Sequence, residues 1–336
     1  MKREERIQAL DVGRVSFREP LSAHCSWKIG GPADIFVQPC EAEQVVRLLR
    51  FVREEELPLV VIGRGTNLLF ADEGVRGVVL KLGRSFSAFT INGSSLRALS
   101  GAWMPRLVKN LADAGLSGLE HAAGIPGSLG GLVTMNGGSL RRSVGENIVS
   151  VEAVSFDGER RTFSQEECLF SYRRSAFLSS DPSKPRWIVL EASLELAAGN
   201  RSAIRREVLG ILRERRGKFP LKQPNCGSVF TNSPRVYDLA GPPGKVVEET
   251  GLKGMRIGGA QVSPLHANFI VNLGGATAAD VLSLVGEIRR RVRDRIGLWM
   301  ECEVRYVGPD GLLVPVSEAC ESVSPSVCGF GLRVDD

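Results

Sequence analysis

The sequence predicts a globular protein that mixes helices and strands over two or three domains. Its 336 residues exceed what one ordinary hydrophobic core can organise. Short apolar runs of strand length alternate with segments in which apolar residues recur at helical spacing. A glycine-rich stretch, residues 123–138, interrupts this alternation near the middle of the chain. A hydrophobic content of 43% and a charged content of 24% agree with a soluble globular class.

The glycine-rich stretch is the most informative segment. Six of its sixteen residues are glycine, and apolar residues such as Ile125 and Leu129 lie between them. Glycine lets the backbone come close to a ligand because it has no Cβ, and free N–H groups in such a turn can converge on a phosphate oxygen. We interpret the stretch as an ordered loop against an anionic or flat ligand; the alternative is a structural turn between packed elements.

A second glycine turn, Gly63 to Leu69, follows the short apolar strand predicted at residues 59–62. A strand that leads into a GxG turn could begin a Rossmann dinucleotide-binding unit. The third glycine and the downstream acid of that fingerprint are missing here. The turn is therefore predicted to bind phosphate in another kind of fold.

The remaining elements follow from periodicity and from helix start and stop signals. Ser164 and Glu167 have the spacing of a capping box for a short helix. The arginines of the helix at 200–216 are predicted to form a solvated face, and residues 309–336 show no helical period. Helices are predicted at residues 41–55, 105–114, 200–216 and 277–296, and strands at 35–37, 77–82, 148–156, 159–163, 187–194, 267–272 and 301–307, with a hairpin at 86–101.

Charge and composition exclude several classes of function. The net charge of +5 is modest and no aromatic-interleaved basic stripe occurs, which argues against a nucleic-acid partner. The mixed charges of residues 1–6 are not those of a signal peptide, and no apolar run is long enough to cross a bilayer. The seven cysteines are scattered without a CxxC pair and there are three histidines, so we expect no metal site. Free thiols favour a cytoplasmic location.

Ten motifs, in order over roughly residues 20–308, resemble those of the UDP-N-acetylenolpyruvoylglucosamine reductases. These are FAD- and NADPH-dependent enzymes of peptidoglycan precursor synthesis. The short interval between Arg173 and Ser228 resembles the subtype that lacks the tyrosine-bearing substrate loop. The motifs are residues 28–34, 63–69, 115–120, 123–128, 135–136, 172–173, 225–230, 258–262, 266–269 and 303–305.

The resemblance implies an α+β fold of the vanillyl-alcohol-oxidase/PCMH type with a C-terminal α+β substrate domain. Two FAD-binding subdomains would span residues 1–82 and 83–199, and the substrate-binding domain residues 200–308. The tail, residues 309–336, has no predicted role. The resemblance also implies a monomer.

The implied reaction is the reduction of UDP-N-acetylglucosamine enolpyruvate to UDP-N-acetylmuramate. Hydride would pass from NADPH to flavin N5 and then to the terminal carbon of the enolpyruvyl ether. By their motif positions, Arg173 and Glu303 would stabilise the enolate and Ser228 would donate the proton. An arginine fork suits a carboxylate, and a fixed hydroxyl suits general acid catalysis.

The resemblance also implies the binding residues. FAD would be held without a covalent bond, and the substrate would contact Tyr172, Lys218 and Asn232. His121, before the glycine stretch, could suggest covalent flavin attachment, but a partly buried neutral histidine fits this family better. The cofactor-binding residues would be Gly63, Arg64, Gly65, Thr66, Asn67, Gly124, Ile125, Pro126, Gly127, Ser128, Gly130, Gly131 and Asn136.

Other interpretations remain open at this stage. Read alone, Arg173 could pair with Glu166 or Glu167, Ser228 could be a turn hydroxyl, and Glu303 could be a solvated strand residue. The chain could also be an FAD oxidase of the same fold or a non-catalytic binder of flavin or UDP-sugar. Several residues depart from the family pattern, among them Arg64, Thr231, Pro264-Leu265 and the run 137–142.

Overall fold

A computed structural model of the protein describes residues 2–178 and 186–322. Cys328 and most of the predicted tail lie outside the described residues. The helices are α1 Arg3–Ala9, α2 Ala42–Glu54, α3 Met104–Ala114, α4 Leu129–Met135, α5 Arg201–Lys218, α6 Pro234–Ala240, α7 Pro243–Glu249, α8 Ala278–Ile296 and α9 Val316–Ser322.

The strands are shorter and more numerous than the helices. They are β1 Arg14–Pro20, β2 Pro32–Gln38, β3 Leu59–Ile62, β4 Leu68–Phe70, β5 Val75–Lys81, β6 Phe89–Asn92, β7 Ser95–Leu99, β8 Leu116–Ser117, β9 Ile148–Ser155, β10 Arg160–Ser164, β11 Trp187–Glu195, β12 Ala197–Ala198, β13 Arg256–Ile257, β14 Ala260–Val262, β15 Ile270–Asn272, β16 Arg305–Val307 and β17 Leu313–Pro315.

Two larger sheets form the N-terminal two thirds of the molecule. The first has the order β1-β2-β5-β3, with β2, β5 and β3 parallel and β1 antiparallel at the edge. The second is antiparallel, in the order β10-β9-β11-β7-β6. Residues of β9 and β11, including Val154 and Ile188, pack with α2 and the first sheet, so the two sheets share a core.

The C-terminal region packs on the opposite side of the first sheet. Its strands form a β13-β14-β15 sheet and a mixed β17-β16-β4 sheet, and β16 runs parallel to β4. One hydrophobic core contains residues of both regions, including Trp27 and Ile288. The indole of Trp27 donates a hydrogen bond to the carbonyl of Ile270 at 2.7 Å. One hydrophobic core therefore joins the N-terminal and C-terminal regions of the described chain.

Helix signals in the sequence were reliable because their caps form. The side chain of Asn200 accepts a hydrogen bond from Ala203 N, and that of Thr277 accepts one from Asp280 N. Gly115 and Gly297 end their helices with left-handed φ angles of 75°, which glycine adopts without steric penalty. The long helices consequently begin and end within two residues of the predicted limits.

Four predictions of local structure were wrong. Ser164 and Glu167 exchange the predicted hydrogen bonds, but the chain turns at Leu169, where φ is 49°, and forms no helix. The strand predicted at 267–272 is confined to β15. The strand predicted at 301–307 is confined to β16, because the backbones of Glu301 and Glu303 form hydrogen bonds with loop residues and not with a strand. Residues 309–322, predicted without a helical period, contain β17 and α9.

No helix in the described part of the chain is long and apolar enough to span a membrane. Among the same residues no cluster of histidine, cysteine or carboxylate side chains could hold a metal ion.

Candidate active site

The two glycine turns predicted to bind a cofactor lie against each other. A Cβ placed on Gly63 would overlap the hydroxyl of Ser128, and one placed on Gly127 would lie 3.6 Å from Thr66 Oγ1. Gly65 has a φ of 61°, and a Cβ there would overlap the carbonyl of His24. The close approach of the turns therefore favours glycine at Gly63, whereas the positive φ and the nearby His24 carbonyl require it at Gly65.

Both turns line one cavity of about 820 Å³, which is within the range of cofactor sites. Its wall contains Gly63–Asn67, Ile125–Ser128, Gly130 and Gly131. The guanidinium of Arg64 stacks on Trp103, with 5.2 Å between its carbon and the ring centre. Arg64, which departs from the family pattern, therefore contacts Trp103 at the edge of the second glycine turn.

Gly131 provides a test of the fit of FAD to this cavity. The nearest protein atom to a Cβ at Gly131 would be Ser128 Oγ, at 3.5 Å, which is an ordinary van der Waals distance. Protein packing thus does not require glycine here, yet the residue is exposed in the cavity wall. A glycine without a packing reason beside an open cavity fits a ligand that lies against the backbone, as an extended FAD would.

The three catalytic candidates line the same cavity. Arg173 Nε lies 2.9 Å from Glu303 Oε1, with side chains 24% and 19% exposed respectively. The two groups form an ion pair by distance but without hydrogen-bond geometry, so Nε has no hydrogen-bond partner among the described residues. Arg173 therefore pairs with Glu303 and not with Glu166 or Glu167, the partners expected in the absence of a site. Ser228 is half-buried in the adjoining wall.

A tight turn places Arg173. Ser171 and Arg174 exchange backbone hydrogen bonds of 3.1 Å, and between them Arg173 takes a φ of 55°. A left-handed arginine is energetically unfavourable and is typical of functional positions. The amide of Asn136 donates to the carbonyl of Ser171 at 2.9 Å, and the guanidinium of Arg173 donates to the carbonyl of Gly138 at 3.3 Å.

Ser228 and Glu303 are held by neighbouring backbone segments. Val229 N donates to Asn268 O at 2.9 Å, and Glu303 N donates to Val229 O at 2.8 Å. The amide of Asn67, at the end of the first glycine turn, donates to the carbonyl of Glu303 at 3.0 Å. The backbone of Glu303 is thus tied both to the segment that carries Ser228 and to the predicted phosphate-binding turn.

Five predicted site residues do not line the cavity. Gly124 faces Leu212 and Arg215, and Asn136 is 6% exposed with its amide used by protein partners. Tyr172 and Asn232 are both exposed and adjacent, because the backbone N–H of Asn232 donates to Tyr172 Oη at 3.4 Å. Lys218 Nζ lies 5.8 Å from the centre of the Phe219 ring. Their predicted ligand contacts stay predictions.

Sequence reasoning missed four charged residues in the cavity wall, Arg186, Arg215, Arg305 and Glu318. Arg215 was assigned to a solvated helix face, but it stacks on Phe219 at 5.0 Å and its Nε is buried without a hydrogen-bond partner in the part of the chain described. Its position four residues after the buried Ile211 was the available signal. Burial lowers the pKa of Arg305, and Glu318 lies in a segment to which no role was assigned.

His121 is 1% exposed, and burial lowers its pKa, which favours the neutral imidazole. The interpretation as a buried neutral histidine fits this environment. The residue is more deeply buried than expected, and it is not part of the cavity wall.

The fold and the site define an FAD-binding oxidoreductase. The family model described as "FAD binding domain" matches residues 33–164. The family model described as "UDP-N-acetylenolpyruvoylglucosamine reductase, C-terminal domain" matches residues 219–307. The predicted α+β fold of the vanillyl-alcohol-oxidase/PCMH type and the predicted FAD cofactor are thereby confirmed.

Relatives identify the family. The chain is 43% identical over 301 residues to UDP-N-acetylenolpyruvoylglucosamine reductase 1 of Corynebacterium glutamicum, covering 90% of this chain and 88% of that one. It is 45% identical over 295 residues to the reductase of Heliobacterium modesticaldum, covering 88% and 91%. The crystal structure of the reductase from Thermus caldophilus matches with a TM-score of 0.71 at 34% identity, covering 87% and 98%. This chain belongs to the UDP-N-acetylenolpyruvoylglucosamine reductase family.

Proposed function

We propose that this protein reduces UDP-N-acetylglucosamine enolpyruvate to UDP-N-acetylmuramate with NADPH as the electron donor. Bound FAD would supply a carrier that takes two electrons from the nucleotide and gives them to the enolpyruvyl group. The observation that carries the proposal is the Arg173–Glu303 contact of 2.9 Å in the wall that also contains Ser228. The arginine, serine and glutamate that stand at the family's catalytic motif positions thus line one cavity.

Arg173 and Glu303 would stabilise the charge that develops on the substrate. Hydride addition to the terminal carbon of the enolpyruvyl ether leaves negative charge on the next carbon and its carboxylate. The planar guanidinium of Arg173 can bind that carboxylate at two points, and the turn that fixes Arg173 keeps the cation in place before reaction. Glu303 lies within ion-pair distance of the guanidinium and would keep the cation near the substrate carboxylate before charge develops.

Ser228 would then donate the proton that completes the reaction. Its hydroxyl has no protein partner among the described residues, so it is available to a ligand in the cavity. The following residues are fixed by Asn268, whose side chain bonds both Phe230 N at 2.8 Å and Phe230 O at 3.0 Å. A hydroxyl held on a rigid backbone can deliver a proton to one face of the substrate.

The glycine turns and Arg215 would hold the cofactor. The diphosphate of FAD would lie on the backbone of Gly63–Asn67 and Gly127–Gly131. Arg215 would contribute positive charge beside the second turn, since a Cβ on Gly124 would lie 3.1 Å from Arg215 Nε. We propose that Tyr172, Lys218 and Asn232 contact the UDP-sugar, and the cytoplasmic location and monomeric state stay predictions.

The test separates the two half-reactions by stopped-flow absorbance. In Ser228→Ala, flavin reduction by NADPH should proceed at the parent rate, whereas reoxidation by the enolpyruvyl UDP-sugar should slow by about 10²-fold or more because the general acid is missing. Ser85→Ala is a matched control, since the Ser85 hydroxyl donates to Pro39 O in the first sheet region, away from the cavity.

Two results would contradict the proposal. Reoxidation of Ser228→Ala at the parent rate would remove the proton-donor role. Rapid oxygen consumption with a substrate that is not a UDP-sugar, together with no substrate-dependent NADPH oxidation, would favour an oxidase of the same fold.

A further inference from the structure

The chain continues past residue 307, where the family model ends, in a segment that forms part of the site. This C-terminal segment, residues 308–322, contains β17 and α9. Strand β17 pairs with β16 in the register Arg305–Pro315, Tyr306–Val314 and Val307–Leu313. Leu312, Leu313, Val314 and Glu318 line the cavity. The segment is thus adjacent to the loop that carries Glu303 and to the ligand space.

Two hydrogen bonds from α9 hold the loop of Glu303 on both sides of that residue. Ser317, which is 1% exposed, donates from Oγ to Glu301 Oε2 at 3.2 Å. Val316 N donates to Val304 O at 3.0 Å. Residues 301–304 are not part of a strand, and these two contacts add to the backbone bonds from Thr231 N to Glu301 O and from Glu303 N to Val229 O.

Arg289 of α8 joins α9 to the start of the same loop. Its side chain is 6% exposed, and Nε donates to Met300 O at 2.9 Å while Nη1 donates to Ser317 O at 2.8 Å. Hydrogen bonds from a buried guanidinium are among the stronger ones in proteins. The loop between Met300 and Val304 is therefore anchored at its first residue, its second residue and its last.

We propose that the C-terminal segment is a positioning element of the active site, in which Ser317 and Arg289 keep the loop of Glu303 aligned with Arg173. The inference rests on the function proposed for Glu303. Because Glu303 has to lie within contact distance of the guanidinium, a small displacement of its loop weakens the alignment that supports the reaction. Ser317 and Arg289 act through Glu303 and do not contact the substrate.

A double-mutant cycle tests the Ser317–Glu301 hydrogen bond. Ser317→Ala and Glu301→Ala should each slow flavin reoxidation by the enolpyruvyl substrate by about tenfold. The double variant should be no slower than either single one because all three lack the same bond. Glu301→Gln, which retains an acceptor oxygen, should recover most of the rate. Flavin reduction by NADPH and the rate of the Ser85→Ala control should match the parent.

The outcomes separate this inference from the function on which it rests. Parent-rate reoxidation in Ser317→Ala and Glu301→Ala, with strongly slowed reoxidation in Glu303→Gln, would overturn the positioning role alone. Equal slowing of both half-reactions would also overturn it, because that result indicates a general loss of structure. Parent-rate reoxidation in Glu303→Gln would overturn the proposed role of Glu303 and the inference with it.

Discussion

Gly130 and Gly131 are adjacent in the sequence, yet the structure gives them different reasons to be glycine. A Cβ on Gly130 would lie 2.5 Å from Ser100 Cβ, so protein packing leaves no room for a side chain at this position. A Cβ on Gly131 would meet no protein atom closer than 3.5 Å and would project beside the cavity. Protein packing requires glycine at Gly130, and we propose that a ligand in the cavity requires it at Gly131.

This difference gives a matched pair of substitutions. Gly131→Ala should fold with unchanged or slightly raised thermal stability, because alanine is the better helix former, but its affinity for FAD should fall by about tenfold or more. Gly130→Ala should lower the free energy of unfolding of the flavin-free protein through overpacking, by about 1–3 kcal/mol. Flavin fluorescence titration and thermal unfolding measure the two effects. Unchanged FAD affinity in Gly131→Ala would contradict the proposed cradle.

At the residue scale, the sequence predicted which side chains belong to the site better than it predicted which residues they contact. Residue type and family motifs selected Arg173, Ser228 and Glu303, and the structure brings them to one cavity. The contact between Arg173 and Glu303 could not be derived from spacing, since 130 positions separate them and the tight turn at Arg173 depends on Asn136. Arg215 was missed because an arginine on a basic helix is usually solvated, and only tertiary packing on Phe219 buries it.

At the scale of elements, the N-terminus of α8 receives caps from two regions of the chain. Thr277 Oγ1 accepts from Asp280 N at 3.0 Å. Asp72, which follows β4, accepts from Ala278 N at 2.8 Å and Ala279 N at 3.2 Å. A carboxylate at this end of a helix satisfies free N–H groups and complements the helix dipole. Asp72 therefore ties the connection between β4 and β5 to the N-terminus of α8.

Removal of the Asp72 cap should measurably lower the stability of the protein. Asp72→Ala should lower the free energy of unfolding by about 1–2 kcal/mol, the range found for helix caps. Glu73→Ala removes an exposed carboxylate one residue further along and should have little effect, because the Glu73 side chain has no hydrogen-bond partner among the described residues. Equal denaturation midpoints for Asp72→Ala and the parent would contradict the cap.

Elements with their own caps were predictable, and elements fixed by distant contacts were not. Helices α3 and α8 end at glycines that the sequence displays. Helix α9 has no such signal. It is stabilised by Arg289 and by apolar contacts of Val316 and Ala319 with the large C-terminal core. The loop that carries Glu303 was mistaken for strand because its alternating residues resemble one, whereas its hydrogen bonds go to Val229 and Asn67.

For the whole molecule, all three histidines shift the dependence of stability on pH in the same direction. Burial lowers the pKa of His24, His121 and His266 below the ordinary value of 6.5. Between the lowered pKa and 6.5, the unfolded chain binds more protons than the folded one. The free energy of unfolding therefore rises with pH across this window and is lost as pH falls below about 6.5.

Thermal unfolding at pH 7.5 and pH 5.5 checks this expectation. The midpoint should be lower at pH 5.5, and each histidine can contribute at most about 1.4 kcal/mol per pH unit. His121→Phe should flatten the dependence most, because His121 is fully buried and both ring nitrogens lack hydrogen-bond partners among the described residues, whereas His24 contacts Glu19 at 2.8 Å. A midpoint that rises on acidification would contradict the sign.

The pairing of β4 with β16 has a consequence for biosynthesis. Strand β4 leaves the ribosome long before its partner strand, which begins at Arg305. At 5–20 residues per second the interval is on the order of ten to fifty seconds. Throughout that time the first glycine turn, which we propose to bind phosphate, lacks the contact between Asn67 and Glu303. A growing polypeptide is thus expected to acquire its yellow colour only after residues 303–307 have left the ribosome, and chains truncated before Glu303 should be colourless.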